Sequence, residues 1–440
     1  MSTLFKQHIR HQIKRLEEIL SEHSLDGLVL GAGTPFVYFR DDQEAPFHPN
    51  PYFTHWCPER SPHHFLHLRA GQKPKLVFYT PKDYWYEQPS VEGIDWVDEF
   101  EVIQTDNLEA RWTLLGETKR HVFIGSEEKE AKEKGFVANA DKVLAHLDWF
   151  RAEKTSYEID CIEKANENAA IGHKAARKMF KKGANELEVH LAFLEAVQCS
   201  EYELPYPSIV GMNEKSATLH YQKKRTGVKK ADVMLIDCGA RVRGYASDIT
   251  RTYVRKKTPR IFRNLLGTMD ALQKSLCKQV RPGVSYFDLQ VKTHRAIAEI
   301  LLDAGVLKGC DVDLAFEKEL TNVFYPHGLG HMLGIQVHDV GGFQKDHTGA
   351  DDEQSPKFPK LRMRRALRVN EVVTVEPGLY FMPLRLEGLK GDDDLRKYVK
   401  WSLIDELVPL GGIRIEDNVV VTNSGYRNLT RPYLKSDYLV

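Results

Sequence analysis

Val233-Met-Leu-Ile-Asp-Cys-Gly-Ala-Arg-Val-Arg-Gly-Tyr-Ala-Ser-Asp-Ile-Thr-Arg-Thr-Tyr253 holds the pattern from which the rest of the chain is read. Its apolar run from Val233 to Ile236 reads as a buried strand, and residues 249–254 read as the returning strand. Arg241-Val-Arg-Gly244 lies between them as a short turn, and folding there predicts Asp237 directly opposite Asp248. Cross-strand partners have Cβ atoms about 5 Å apart, a spacing at which two like charges are unfavourable. Either one carboxylate points to solvent, or the pair shares a proton or a cation.

Three further stretches bear on that choice. Pro326-His-Gly-Leu-Gly-His-Met-Leu-Gly-Ile-Gln-Val-His-Asp339 carries His327, His331 and His338. Val373-Thr-Val-Glu-Pro-Gly-Leu-Tyr380 presents Glu376 at the end of an apolar run before a Pro-Gly turn. Gly411-Gly-Ile-Arg-Ile-Glu-Asp-Asn418 sets Arg414 and Glu416 on one face of a strand, two apart. Singly, each has an ordinary explanation: a glycine-rich loop, a solvated turn residue, a surface ion pair. Together, two Asp, two Glu and a His on apolar strands or beside glycines are either buried without partners, at a cost of several kcal/mol, or they share cations. The shared-cation reading wins. Such a carboxylate-rich set suits two divalent ions about 3.5–4 Å apart, with Mn²⁺ favoured and Co²⁺ or Zn²⁺ also able to bind. Sulfur plays no part, since strand alternation turns Cys238 away from Asp237.

Length and composition frame this site. At 440 residues the chain is long for one core, and two domains are expected, residues 1–155 and 156–440. A 28% share of charged residues with a formal net charge of zero leaves no basic footprint for nucleic acid. The expected partner is a small molecule or a second copy of the chain. The six cysteines (Cys57, Cys161, Cys199, Cys238, Cys277, Cys310) are scattered, as in a reducing compartment. The first residues lack a signal-peptide core and no apolar run is long enough for a bilayer, so no membrane partner and a cytoplasmic location are expected.

Phe5, Ile9, Ile13, Leu16 and Leu20 predict an amphipathic opening helix. Strand-like runs at 27–30, 75–79 and 121–125 predict a small α/β domain, with an irregular aromatic loop at 39–56 that rims a pocket, meets a partner chain or packs on its own domain. Beyond it, Ile159, Ile162, Ala165, Ala169, Ile171 and Ala175 form a long helical pattern ahead of Gly183, further helices are expected near 186–199, 262–280 and 286–304, and strands at 372–381 and 413–421. Runs of strands and runs of helices argue α+β. Residues 349–360 and 387–397 read as charged, solvated loops. His63, His64 and His67 alternate faces and are read as structural or surface residues.

On the four ligand-bearing stretches the chain resembles the pita-bread metallopeptidases, the family of methionine aminopeptidase, aminopeptidase P and prolidase. Within that family it is most similar to the bacterial prolidases, some of them also called organophosphorus acid anhydrolases. The segment Leu204-Pro-Tyr-Pro-Ser-Ile-Val-Gly-Met-Asn-Glu-Lys-Ser-Ala-Thr-Leu-His-Tyr221 carries that likeness. The resemblance implies an α+β pita-bread catalytic domain (creatinase/aminopeptidase-like) at the C-terminus, with a smaller α/β domain before it. It implies that Asp237 chelates one metal, that Asp248 and Glu416 bridge both, and that His331 and Glu376 complete the second. His331 takes this role because it stands seven residues before His338, as the family's ligand and catalytic histidines do. His220 and His338 then face the substrate carbonyl, and Glu376 shuttles a proton from the attacking water, held between the metals as hydroxide, to the leaving imino nitrogen.

The same resemblance implies an Xaa-Pro dipeptidase (prolidase). Arg362, fourteen residues before Glu376, would take the proline carboxylate, and Asp42 the α-amino group, reaching the site of a neighbouring subunit in a homodimer. Tyr206, His327 and Arg414 are expected around the substrate, with packing as the other reading of Tyr206 and support of Glu416 or its neighbours as the other reading of Arg414. Such a pocket also suits P–F or P–O cleavage in organophosphates. Two alternatives stand beside this: an aminopeptidase P acting on longer peptides, and a metal-free binding protein of the same fold.

Overall fold

The computed structural model describes residues 3–440. The chain forms two compact units. One comprises the residues up to Arg151 together with Thr155–Tyr157 and Asp346–Ala350, and the other holds the remainder.

In the N-terminal unit the first helix spans Thr3–Glu22 and buries Phe5, Ile9, Leu16 and Leu20, the stripe that helical spacing predicts. A six-stranded mixed sheet follows in the order β4-β3-β2-β1-β5-β6. Its strands are β1 (Gly27–Gly31), β2 (Phe65–Arg69), β3 (Lys75–Tyr79), β4 (Glu101–Thr105), β5 (His121–Ile124) and β6 (Val137–Ala138). Val29, Phe65, Trp112 and Phe123 make its core. His64 and His67 are buried within β2's neighbourhood, where the Tyr79 amide donates to His64 Nδ1 and His67 meets His121, so both are structural. The aromatic segment 39–56 is irregular until a helical turn at Pro51–Thr54, capped by the Asn50 side chain.

In the larger unit the helices Ser156–Lys182, Glu186–Val197, Arg260–Cys277 and Tyr286–Asp303 flank short antiparallel sheets. Strands β7 (Ile209–Met212), β8 (Val233–Asp237) and β11 (Thr250–Val254) form one sheet in the order β11-β8-β7, and β9 (Arg241–Val242) pairs with β10 (Tyr245–Ala246). The predicted pairing of the central hairpin is off by two residues. Thr250, not Asp248, stands opposite Asp237, and Val242 stands opposite Tyr245. The turn is therefore Arg243-Gly244 alone, with φ of 50° and 90°. Positive φ at both central positions is the geometry of a two-residue hairpin loop matched to strand twist. Asp248 falls opposite Gly239, so the shift by an even number keeps Asp237 and Asp248 on the same face.

Two predicted long strands are each broken. Residues 372–381 make β12 (Val372–Val375) and β13 (Gly378–Tyr380), and residues 413–421 make β14 (Gly412–Arg414) and β15 (Asp417–Val421). β12 and β15 lie in one sheet with β16 (Tyr426–Asn428), while β13 and β14 form a separate pair. Pro377 offers no amide to a ladder and enforces the first break. Val375 pairs with Asp417 and Gly378 with Arg414, so the register continues across the gap and Glu376 lies across from Glu416. Part of the second predicted loop is helix Pro383–Lys390, while Asp392, Asp393 and Asp394 are exposed.

Candidate metal centre

Asp237 ends β8, Asp248 precedes β11, and Glu376 and Glu416 occupy the two strand breaks, where their amides donate to the Leu329 and Thr250 carbonyls at 2.8 and 3.1 Å. His331 comes from a glycine-flanked loop whose backbone is pinned to Thr374: the His331 amide donates to Thr374 Oγ1 at 3.1 Å. Asp248, His331 and Glu416 are buried and present ligand atoms all within 4.8 Å of one another. His331 Nε2 lies 3.4 Å from Asp248 Oδ2 and 3.5 Å from Glu376 Oε1. Its Nδ1 donates to the Met332 carbonyl at 2.9 Å, which leaves Nε2 facing the carboxylates. Asp237, on the same face of the hairpin as Asp248, completes a constellation of four carboxylates and one imidazole.

The surroundings hold these groups in place. Arg414 Nη2 pairs with Asp237 Oδ2 at 2.7 Å, and the Tyr206 hydroxyl donates to Asp237 Oδ1 at 2.8 Å. Thr250 Oγ1 donates to Glu416 Oε2 at 2.7 Å. The Asn418 side chain clamps the Asp248 backbone, accepting from its amide at 3.0 Å and donating to its carbonyl at 2.6 Å. Tyr380 links Arg414, 3.0 Å from its hydroxyl, to His327 Nε2, 2.8 Å away.

Electrostatics tests whether the residues fit metal ions. Burial raises Glu376 to about 7; His331 and Arg414 oppose the rise, and Asp248 and Asp237 add to it. Burial and then the charges of Asp248, Glu376 and Asp237 push Glu416 well above the carboxylate range. Asp237 is raised by burial against the pull of Arg414. Asp248 alone is lowered: burial works against it, and hydrogen bonding and charge from His331 prevail. His331 is raised in turn, its burial outweighed by Asp248 and Glu376. One guanidinium and one imidazolium do not neutralise four carboxylates, three of them buried. The oxygen-rich donor set with a single imidazole therefore fits divalent metal.

The centre opens into a cavity of about 700 Å³, a size suited to a small substrate. His220, His327, His338, Arg362, Arg414 and Glu376 all line it, with Phe343, Met382 and Leu384 giving it an apolar side. His220, His338 and Arg362 are exposed, and the loop bearing His338 is anchored next door by a buried Lys154–Asp339 pair at 2.8 Å. Tyr206 is turned onto Asp237 and is not among the described residues lining the cavity. Asp42 is an exposed loop residue of the N-terminal unit and is likewise not among them. Sequence reasoning passed over Thr250, Thr374, Tyr380 and Asn418. Each is an ordinary hydroxyl or amide in a strand, and nothing local marks it as the partner of a residue far along the chain.

A fold of short antiparallel sheets closing on carboxylates and one histidine is matched by a family model described as Metallopeptidase family M24 over residues 160–423, and the chain belongs to that family. Residues 3–149 match a second, described as Xaa-Pro dipeptidase, N-terminal domain. The chain is 41% identical to an Xaa-Pro dipeptidase of Shewanella woodyi over 431 residues, 97% of each chain. It is equally identical to that of Shewanella pealeana over 437 residues, 98% of each. Among solved structures, Escherichia coli aminopeptidase P with the inhibitor Pro-Leu superposes with a TM-score of 0.73 at 23% identity, covering 98% of this chain and 96% of that one. Pseudomonas aeruginosa aminopeptidase PepP gives 0.74 at 22% identity, covering 97% and 96%. At those identities the likeness is one of fold, the pita-bread architecture preceded by a separate N-terminal domain.

Proposed function

We propose that this chain is a two-metal Xaa-Pro dipeptidase that hydrolyses dipeptides ending in proline. The carrying observation is the cluster of Asp237, Asp248, His331, Glu376 and Glu416, largely buried at the foot of an open cavity. The full-length identity to Xaa-Pro dipeptidases supports the choice of substrate. Asp237, Asp248, His331, Glu376 and Glu416 would hold the ions, with Mn²⁺ the preferred metal for so oxygen-rich a set. When bound, the ions supply Lewis acidity, making water nucleophilic near neutral pH and polarising the scissile carbonyl.

The chain's own groups do the rest. Glu376, at the edge of the cluster and lining the cavity, would take a proton from the attacking water and return it to the departing imino nitrogen. His220 and His338, at the cavity rim, donate to the oxyanion as it forms. Arg362 offers a planar fork to the proline carboxylate. Arg414 orients Asp237 and favours its ionised form, and Tyr380 passes that order on to His327. Asp42 receives the substrate's α-amino group from across a homodimer, and Tyr206 acts through Asp237. A phosphoryl centre resembles the tetrahedral intermediate, so P–F or P–O cleavage follows as a side activity. Six cysteines with no disulfide among the described residues fit a cytoplasmic setting.

The test is turnover of Gly-Pro against Gly-Pro-Ala, with and without added Mn²⁺. The proposal expects Mn²⁺-dependent cleavage of the dipeptide and little of the tripeptide. Comparable rates on both would instead indicate an aminopeptidase P, and no cleavage with full metal loading would indicate a binding protein.

A further inference from the structure

The N-terminal unit holds a second convergence of metal-binding side chains that the peptidase chemistry does not use. Helix Thr3–Glu22 ends on Glu22 and is followed by His23, while His146 projects from helix Asp141–Ala152. His347 comes from Asp346–Ala350, a segment distant in sequence that belongs to the same unit. His146 is 1% exposed, and its Nδ1 lies 3.4 Å from His23 Nε2 and 3.7 Å from Glu22 Oε2. Ligand atoms of Glu22, His23 and His146 all fall within 4.8 Å of one another. The second oxygen of Glu22 is 3.0 Å from His347 Nε2, and the His347 and His146 rings pack with centroids 4.8 Å apart.

These separations have a chemical meaning. Nitrogen or oxygen ligands about 2.0–2.1 Å from a tetrahedral zinc ion stand about 3.4 Å from each other. His146 Nδ1 already lies near that spacing from both other donors, and the three are all within 4.8 Å of one another, so a small closing movement admits the ion. Glu22 and His347 are partly open to solvent, which supplies an entry path, while Phe150 packs against the His146 ring and fixes it. An imidazole-rich set also selects differently from the carboxylate-rich centre: it favours zinc-class ions over manganese.

We propose that Glu22, His23 and His146 form a separate mononuclear site for a zinc-class divalent ion. His347 holds the Glu22 carboxylate in place, and water fills the remaining position. The ion would tie the end of the first helix to Asp141–Ala152 and stabilise the unit by mass action.

The test uses the full-length chain without a histidine tag, loaded with excess Zn²⁺, freed of unbound metal and assayed for metal per chain. Glu22→Gln and His23→Ala are each expected to retain one zinc fewer than the wild type. Their Gly-Pro cleavage should be unchanged, and zinc should raise their unfolding midpoint by less than it raises that of the wild type. Ions at the peptidase centre are counted in all three proteins, so the difference reads this site whatever that centre proves to do. Equal zinc content in wild type and both variants would overturn the proposal and leave the cluster as hydrogen-bonded histidine packing.

Discussion

Thr250 shows how much of the centre depends on groups that never touch substrate. Its hydroxyl donates to Glu416 and accepts from Arg414 Nε at 3.1 Å, so one side chain orients a candidate bridging carboxylate and the cation beside it. Thr250→Val keeps the shape and removes both bonds. Groups of this kind typically contribute 10–100-fold to metal affinity. We therefore expect a weakening of that order in competition with a chelator, with the fold retained by circular dichroism; unaltered affinity would contradict the role. Glu376 makes a prediction about pH. In the metal-free folded chain it titrates near 7 against an ordinary 4.5, so the folded state keeps a proton that the unfolded chain has lost. Stability from this group is present below about pH 4.5 and is lost as pH rises through about 7. The metal-free wild type should thus lose thermal midpoint across that interval more steeply than Glu376→Gln, and parallel curves would argue against it. The candidate ligands themselves were legible in the sequence, because Asp237, Asp248, Glu376 and Glu416 are charges set in apolar runs. Their supports were not, since Thr250, Tyr380 and Asn418 acquire meaning only when distant strands meet.

At the level of elements, the hairpin between β8 and β11 does the positioning. Asp237 and Asp248 share a face because the register across them is even, and the close packing at Gly239 maintains that register. A Cβ there would meet the Ser247 carbonyl at 2.0 Å, a backbone atom that cannot swing aside. Gly239→Ala should therefore force the strands apart between the two aspartates. We expect loss of metal binding and a lowered unfolding midpoint, with the N-terminal unit still folded by limited proteolysis; full metal binding by this variant would contradict the account. The hairpin's existence was readable from two apolar runs flanking a Gly, but its register was not. Arg243-Gly244 is a two-residue turn only because Arg243 takes up positive φ, and arginine gives no local sign of that. The strand breaks at Glu376 and Glu416 were hidden for a related reason. Apolar alternation runs on through them, and only the change of sheet partner reveals the gap.

For the whole molecule, the division of labour is between an N-terminal mixed sheet and a larger unit that carries the entire carboxylate cluster. Two domains and an α+β catalytic half were visible in the length and the run pattern. The histidine cluster at His23, His146 and His347 was not, because its members lie far apart and none stands in a recognisable spacing. The central claim concerns the cluster of Asp237, Asp248, His331, Glu376 and Glu416 and the ions it would cage. It is tested most directly by following Gly-Pro hydrolysis in the wild type and in Asp248→Ala through chelation and return of Mn²⁺. The wild type should fall silent with chelator and recover with Mn²⁺, while Asp248→Ala should stay inactive throughout. Cleavage that survives chelation, or an Asp248→Ala protein as active as the wild type, would contradict the account.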